Sequence, residues 1–568
     1  MKKTPSAWSP YHAKDYFQPE YPEYSMYELI HQTALKHPDF TAIEFQNKKI
    51  SYAQFMKKIS ETASALLANG IKKGDFVSII TPNAPQALIM LYAVNRIGAV
   101  ANMIHPLLSA SEIKEFVEKV NSVAVLTFDM VYPKLSGIEW SNGKNPIIIL
   151  ARIQDALPFY IKPLYSLKNR LKLQFNPRHK IIYWNKFVKA KTKSPLPPDD
   201  GCGDDIAVIL YSGGTTGIPK GVMIHNRAFN CMALQCSEIK RADDISGKKG
   251  LALMPTFHGF GLAVCMHTML YHGTHLFMIP KYSFGECARL IFRKKIGFIY
   301  AVPALFEALS RTEEIEKEDL SFIELVAFSG DKCSKKLTDR FNRYLEKGNS
   351  QARLQEAYGL TESLSGVCMN PFFALKEGSM GIPFADTKMK IVKIGTQEKL
   401  PPWEDGEICV TGPTLMKGYY KNETETAFAL QKHDDGLTWL HTGDIGCVDE
   451  DGYFYFRQRH CRMIITAGYN VYPTQIEDVI SKCNEVSLCC VIGAQDRSLG
   501  QRIVAFVQPT SMQTDLDALR EKILENCRNN MAAFAVPQEI FFREALPTTA
   551  FGKVNFRMLS DEINKKGV

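Results

Sequence analysis

The chain has 568 residues, more than one hydrophobic core can organise, so several domains are expected. Hydrophobic residues at 45% and charged residues at 23% fit a soluble globular protein. The formal charge is +8, but Ala156 to Pro198 holds ten Lys/Arg and no Asp or Glu, and removing those ten leaves −2; the basicity is local, which argues against nucleic acid as a partner.

In chain order, Lys2 and Lys3 are followed by Pro5, Ser6 and Trp8 where a signal peptide needs an apolar stretch. From Asp75 onward apolar runs alternate with amphipathic ones: strand 76–81, helix 85–97, strand 100–104, helix 111–120, strand 123–128. The longest apolar run, 87–104, is broken by Asn95, Arg96 and Gly98 and reads as a buried helix leading into a strand, not a membrane span. Further strands are expected at 206–211, 251–255, 298–302 and 325–329, giving an α/β fold with a largely parallel, helix-covered sheet. Beyond Lys388 short strands with turn signals (407–411, 453–457) indicate a β-rich module. From about Arg459 an α+β segment follows, with a helix at 473–481 and strands at 488–493 and 502–508. Fourteen cysteines lack any CxxC pair, so reduced, mostly buried thiols and a cytoplasmic location are expected.

The strongest local signal is Ile209-Leu-Tyr-Ser-Gly-Gly-Thr-Thr-Gly-Ile-Pro-Lys-Gly-Val222. Gly213, Gly214 and Gly217 let backbone N–H groups turn toward an anion, Ser212, Thr215 and Thr216 add donors, and Lys220 brings a full charge. That is the chemistry of holding a polyphosphate, although a lone glycine-rich loop reads equally as a surface turn. It is not a Walker loop, because Pro219 replaces the second glycine and Gly221 follows the lysine. The full order resembles the phosphate loop of the adenylate-forming (AMP-binding) superfamily, which includes acyl-CoA synthetases, peptide-synthetase adenylation domains and firefly luciferase. The resemblance implies a large N-terminal domain, a small mobile C-terminal domain, and ATP with Mg²⁺.

Four further segments extend the resemblance. In Tyr358-Gly-Leu-Thr-Glu362, Tyr358 offers a flat face for a purine, Thr361 a hydroxyl and Glu362 a hard oxygen for Mg²⁺; the resemblance puts Thr361 at the α-phosphate and Glu362 at the metal. In His441-Thr-Gly-Asp444 the Asp444 carboxylate is the candidate for the ribose hydroxyls, and Arg459 aligns with a nucleotide-contacting arginine. Thr466 to Glu477 resembles the start of the small domain, with Gly468 where coenzyme A's thiol approaches. Leu546-Pro-Thr-Thr-Ala-Phe-Gly-Lys553 resembles the catalytic-lysine motif, whose ammonium neutralises the substrate carboxylate and the α-phosphate. The implied domains are 1–458, including the β-rich module over about 388–458, and 459–568. The hinge departs from the family pattern at Gln458, Cys461 and Arg462.

His258, in Met254-Pro-Thr-Phe-His-Gly-Phe-Gly261, aligns with a position near the acyl pocket, with 302–304, 329–331 and 364–366 as further lining; a core histidine is the plain alternative. His267, His272 and His275 lack metal-ligand spacing and read as structural. Residues 157–173 interleave apolar side chains with cations and resemble the corresponding region of bacterial long-chain fatty-acid–CoA ligases. This suggests peripheral contact with the inner membrane face, against the alternative of a solvated basic face. The expected function is an acyl-CoA synthetase that activates a medium- or long-chain fatty acid as acyl-AMP. The rivals are an acyl-AMP ligase loading a carrier protein and a non-catalytic acyl- or nucleotide-binding relative.

Overall fold

The computed structural model describes residues 20–141, 145–157, 173–192, 195–212, 219–236, 245–280, 284–330, 333–371, 374–459, 462, 464–466, 469–471, 473–496, 500–511, 513–531, 535–548 and 554–566. The chain divides into two compact units, Met1–Lys388 with Val410–Leu440, and Met389–Cys409 with His441–Val568.

Two large sheets dominate the first unit. The eight-stranded sheet is ordered Gly418–Tyr419, Lys220–His225, Ile206–Ser212, Val100–Met103, Phe76–Ile80, Ala124–Phe128, Ile147–Ala151 and Ile181–Tyr183. Its six strands from Ile206–Ser212 to Ile181–Tyr183 run parallel. The glycine-rich segment breaks that pattern: Ile206–Ser212 and Lys220–His225 pair antiparallel, with Ser212 opposite Lys220. The nine-stranded sheet has a parallel centre, Thr41–Phe45, His275–Met278, Lys249–Ala252, Phe298–Ala301, Leu325–Phe328 and Leu354–Tyr358, with antiparallel additions at both edges.

Local sequence explains the helices. Ser51 with Gln54 and Ser109 with Glu112 form capping boxes that start Tyr52–Ala68 and Ala110–Lys119. Pro85 opens Pro85–Arg96, whose residues Pro85–Asn95 are all buried, as a helix apolar on every side must be. Its Tyr92 meets Phe55 edge-on and hydrogen-bonds His267 Nδ1 at 2.9 Å. Just before the helix, the Asn83 side chain donates to the carbonyls of Leu253 and Met254 and accepts from Thr256 N, each at 3.0 Å. These bonds tie the end of one sheet to the other.

A five-stranded sheet comprises Lys388–Val392, Gly406–Thr411, Thr438–Val448, Leu430–Lys432 and Phe454–Arg459. In the second unit, Val486–Asp496, Gly500–Pro509, Glu539–Phe542, Ile464–Thr466 and Tyr469–Val471 form another. Alternation sorts its two faces. Val491, Ile503 and Ala505 pack with Ile476, Ile480, Leu519 and Ile523 of helices Pro473–Ile480 and Leu516–Asn530. Ile492, Val504 and Phe506 pack with Leu559 and Ile563 of Phe556–Lys566.

No described helix is long and apolar enough to cross a membrane, and 87–104 is the buried helix and strand its sequence suggested. The described cysteines are all free thiols. Within the basic stretch 156–198, whose aromatics would be expected to join any membrane contact, Trp184 is buried in the short helix Trp184–Phe187 against Phe187, so it is unavailable to a lipid surface. Phe175 is 46% exposed, Tyr183 lies under Arg152, and 158–172 fall outside the described residues.

Of the three histidines read as structural, His267 packs inside the first unit. His267 is 1% exposed, and burial lowers its pKa from 6.5 to about 3. The unfolded chain therefore takes up a proton that the folded one refuses. The associated stability is full above pH 6.5 and is lost as pH falls toward 3, by up to about 1.4 kcal/mol per pH unit. Thermal midpoints measured from pH 7 to pH 4 should fall more steeply for the parent than for His267→Gln. Parallel curves would show that His267 does not set the acid sensitivity.

Candidate active site

In the first unit, the strand Leu354–Tyr358 runs into a tight turn. Thr361–Ser363 makes one 3₁₀ turn, and Leu364 and Ser365 follow at φ 53° and 71°. Ser365 N donates to Leu360 O at 2.8 Å and Val367 N to Tyr358 O at 2.9 Å. A Cβ on Gly359 would lie 2.3 Å from the Ser365 carbonyl oxygen, so only glycine lets the turn close.

The turn fixes Glu362. Its Oε1 accepts from Ser212 Oγ at 2.7 Å and from the Tyr419 hydroxyl at 3.0 Å, while its carbonyl accepts from Met416 N at 2.8 Å. Burial, followed by the Glu362 charge, pushes the Tyr419 pKa up, so the phenol stays protonated and donates. Lys220, across from Ser212 in the hairpin, pairs with Glu425 and stands 4.9 Å over the Tyr419 ring. Ser212, Lys220 and Glu362 thus share one cluster. Tyr358 is buried at the base of the turn. Gly213, Gly214, Thr215, Thr216 and Gly217 lie outside the described residues.

Gly259, next to His258 in the chain, also approaches this turn. A Cβ on the adjacent Gly259 would lie 2.4 Å from Ser365 Oγ and 3.6 Å from Leu210 Cδ1. From there the chain enters Phe260–Thr268, a nine-residue π-helix, buried throughout and mostly apolar. Long π-helices are rare and concentrate at functional sites. Ser329 is buried at the end of Leu325–Phe328 and Val302 precedes Pro303–Leu309; Asp331 is not among the described residues.

The second unit presents Asp444 and Arg459 as cross-strand partners, Arg459 Nε lying 3.3 Å from Asp444 Oδ1. The Asp444 carboxylate is 2% exposed. Glu407 braces the preceding turn: one oxygen meets His441 Nδ1 at 2.8 Å and the other accepts from Gly443 N at 3.0 Å. Gly443 sits at φ 69°, where glycine carries no steric penalty. Gly468, Cys461 and Lys553 lie outside the described residues. Of the described residues nearby, Thr548 and Val554 form a bridge and Asn555 N donates to Pro547 O at 2.7 Å.

The AMP-binding enzyme family profile matches residues 30–420, and the profile of the AMP-binding enzyme C-terminal domain matches 475–553. The chain belongs to the AMP-binding enzyme family. It is 30% identical over 545 residues to a long-chain-fatty-acid–CoA ligase of Bacillus subtilis (strain 168), covering 95% of each chain. It is 29% identical to a feruloyl-CoA synthase of Amycolatopsis sp, over 91% of this chain and 94% of that one. The fold is similar to ATP-bound MatB from Rhodopseudomonas palustris, with TM-score 0.81 at 22% identity over 95% of this chain and 99% of that one. It is also similar to an anthranilate CoA ligase in complex with anthranoyl-AMP, with TM-score 0.82 at 21% identity over 97% and 98%. A large α/β sheet domain followed by a smaller C-terminal domain is the architecture they share.

A family member of this kind is an AMP-forming acid–thiol ligase that uses ATP, Mg²⁺ and coenzyme A. The donor set here suits the first two. A carboxylate with one oxygen held by two hydroxyls presents the other to a hard cation, and an ammonium beside a hydroxyl suits phosphate oxygens. Tyr419, Glu425 and Glu407 escaped the reading of the sequence. All three lie in the β-rich stretch 388–458, whose pattern of short strands and turns assigns no chemistry to a single side chain.

Because Glu407 orients the turn before Asp444, Glu407→Ala should raise the KM for ATP by roughly 10-fold, as loss of a supporting partner does, and leave the KM for the acid within about 2-fold. Steady-state kinetics in each substrate checks this. Equal changes in both constants would mean general loosening.

Proposed function

We propose that the chain activates a medium- or long-chain fatty acid. One carboxylate oxygen attacks the α-phosphorus of ATP, the bond to the β-phosphate oxygen breaks, and pyrophosphate leaves with acyl-AMP formed. The coenzyme A thiol then attacks the acyl carbon, its proton is lost, and AMP departs. Glu362 is the residue to hold Mg²⁺, which when bound offsets charge on the phosphates. Ser212, Gly213, Gly214, Thr215, Thr216, Gly217 and Lys220 cradle them, Thr361 meets the α-phosphate, and Tyr358, Asp444 and Arg459 hold the nucleoside. Lys553 serves the first step and Gly468 the second, on a small domain beginning near Arg459 that reorients between them.

The observation that carries the choice of a fatty acid is the buried, apolar π-helix Phe260–Thr268 that follows His258 in the chain, whose side chains suit an alkyl group. The end-to-end likeness to the Bacillus subtilis ligase agrees with it, while relatives named for ferulate and, in Bacillus cereus (strain Q1), for 2-succinylbenzoate make the acid a matter of pocket lining. ATP–pyrophosphate exchange with a panel of acids tests the proposal. Saturated medium- and long-chain acids should give the highest kcat/KM, and faster exchange with ferulate would overturn the fatty-acid assignment. In the same assay Lys553→Ala should lose about 10²-fold or more while still converting supplied acyl-AMP to thioester. Coenzyme A should serve as acceptor in preference to a holo carrier protein.

We further propose that 156–198 brings the enzyme to anionic membrane, where long-chain acids partition; exposed Phe175 and the ten cations support this. Co-sedimentation with anionic vesicles at low salt should pellet the parent and not a variant with Lys168, Arg170 and Lys172 changed to Glu. Equal pelleting, or none, would make the stretch a solvated face.

A further inference from the structure

Tyr419 touches both charged groups of the cluster. Its hydroxyl donates to Glu362 Oε1 at 3.0 Å, and its ring lies 4.9 Å beneath Lys220 Nζ. The side chain is itself immobilised. Tyr419 is 7% exposed, its strand pairs Gly418 with Met223 and Tyr419 with Val222, and its N–H donates to Thr426 Oγ1 at 2.8 Å. Thr426 Oγ1 in turn donates to Asn422 O at 2.8 Å, and the Asn422 side chain caps the helix Glu423–Ala429 that carries Glu425. Gly418, at φ 137°, could not hold a side chain without meeting Thr426 at 2.8 Å, so the approach of this segment to Lys220–His225 depends on a glycine.

We propose that Tyr419 is the positioning residue that sets Glu362 and Lys220 relative to one another, so that the metal-binding carboxylate and the phosphate-binding ammonium are registered by one ring. Ser212 alone would fix Glu362 to the hairpin by a freely rotating hydroxyl. The phenol adds a second, rigid donor to the same oxygen, which restricts carboxylate rotation and directs Oε2 away from both donors. A protonated phenol suits this task because it gives up a hydrogen bond without adding charge beside the lysine. The ring face beneath Nζ supplies a cation–π contact that Glu425 completes from the other element. The proposal rests on the reading that Glu362 takes Mg²⁺ and Lys220 takes phosphate.

Three variants separate the two halves of this role. Tyr419→Phe keeps the ring and removes the hydroxyl. It should weaken divalent-cation binding by roughly 10-fold, read as the dissociation constant of Mn²⁺ by electron paramagnetic resonance in the presence of a non-hydrolysable ATP analogue. Its KM for ATP at saturating Mg²⁺ should stay within about 2-fold of the parent. Tyr419→Leu removes the ring as well and should add a rise of about 10-fold in that KM. Ser212→Ala supplies an independent loss of a donor to the same oxygen, so its Mn²⁺ effect should be of the same order, about 10-fold, and the double variant should exceed either. Tyr420→Phe, whose ring packs on Phe76 away from Glu362, serves as the control for folding. Parent-like Mn²⁺ affinity in folded Tyr419→Phe would overturn the proposal. Parent-like Mn²⁺ affinity in Glu362→Gln would instead overturn the assignment of the metal to Glu362.

Discussion

One carboxylate, that of Glu362, is held by hydrogen bonds from distant parts of the larger unit. Glu362 sits on a turn that only glycine at 359 and left-handed backbone at Leu364 and Ser365 allow, and the same turn receives the loop at His258. Two hydroxyls on one carboxylate oxygen come from segments 150 and 57 residues away in sequence. The long parallel sheets supply the rigidity that lets such distant donors meet. Their central strands are buried on both faces, and Ser212 and Tyr358 stand at the C-terminal ends of two strands.

Packing and function share residues here. Asn83 binds two strand-end carbonyls and one amide in the other sheet, so the ends of the two sheets are pinned by a single buried side chain with both amide atoms occupied. The π-helix that follows His258 is anchored by the Tyr92–His267 hydrogen bond in the same interior. A wide helical turn leaves backbone geometry that an α-helix would not, and wholly buried surroundings are what sustain it. The same buried element therefore serves as a structural joint.

In the smaller unit a different arrangement serves Asp444. Its strand partner Arg459 faces it across an antiparallel ladder, and Glu407 clamps the glycine turn before it with both oxygens. The hinge residue Arg462, unusual for the family, has found local work: it donates to Glu477 at 2.5 Å and to Val491 O at 3.2 Å, and its guanidinium lies 5.3 Å from the Phe556 ring. The basic side chain there meets a half-buried acidic partner, Glu477, on the helix Pro473–Ile480.

By itself the sequence determined the secondary structure and its order. Period-two and period-3.6 apolar patterns placed 76–128 as alternating strands and helices, and cap residues such as Ser109 and Pro85 started helices where they stood, because these effects act within a few residues. Contiguous motifs made Ser212, Lys220, Glu362, Asp444 and Arg459 candidates from the sequence alone. Tertiary structure alone decided which of these share a cluster and what supports them. Tyr419, Glu425 and Glu407 acquire meaning only through what they meet in space, and a four-residue helix turns Trp184 of the basic stretch inward. A side chain's partner in space depends on strand register and on the packing of whole sheets, which are set by the sum of many contacts and leave no mark at the residue itself.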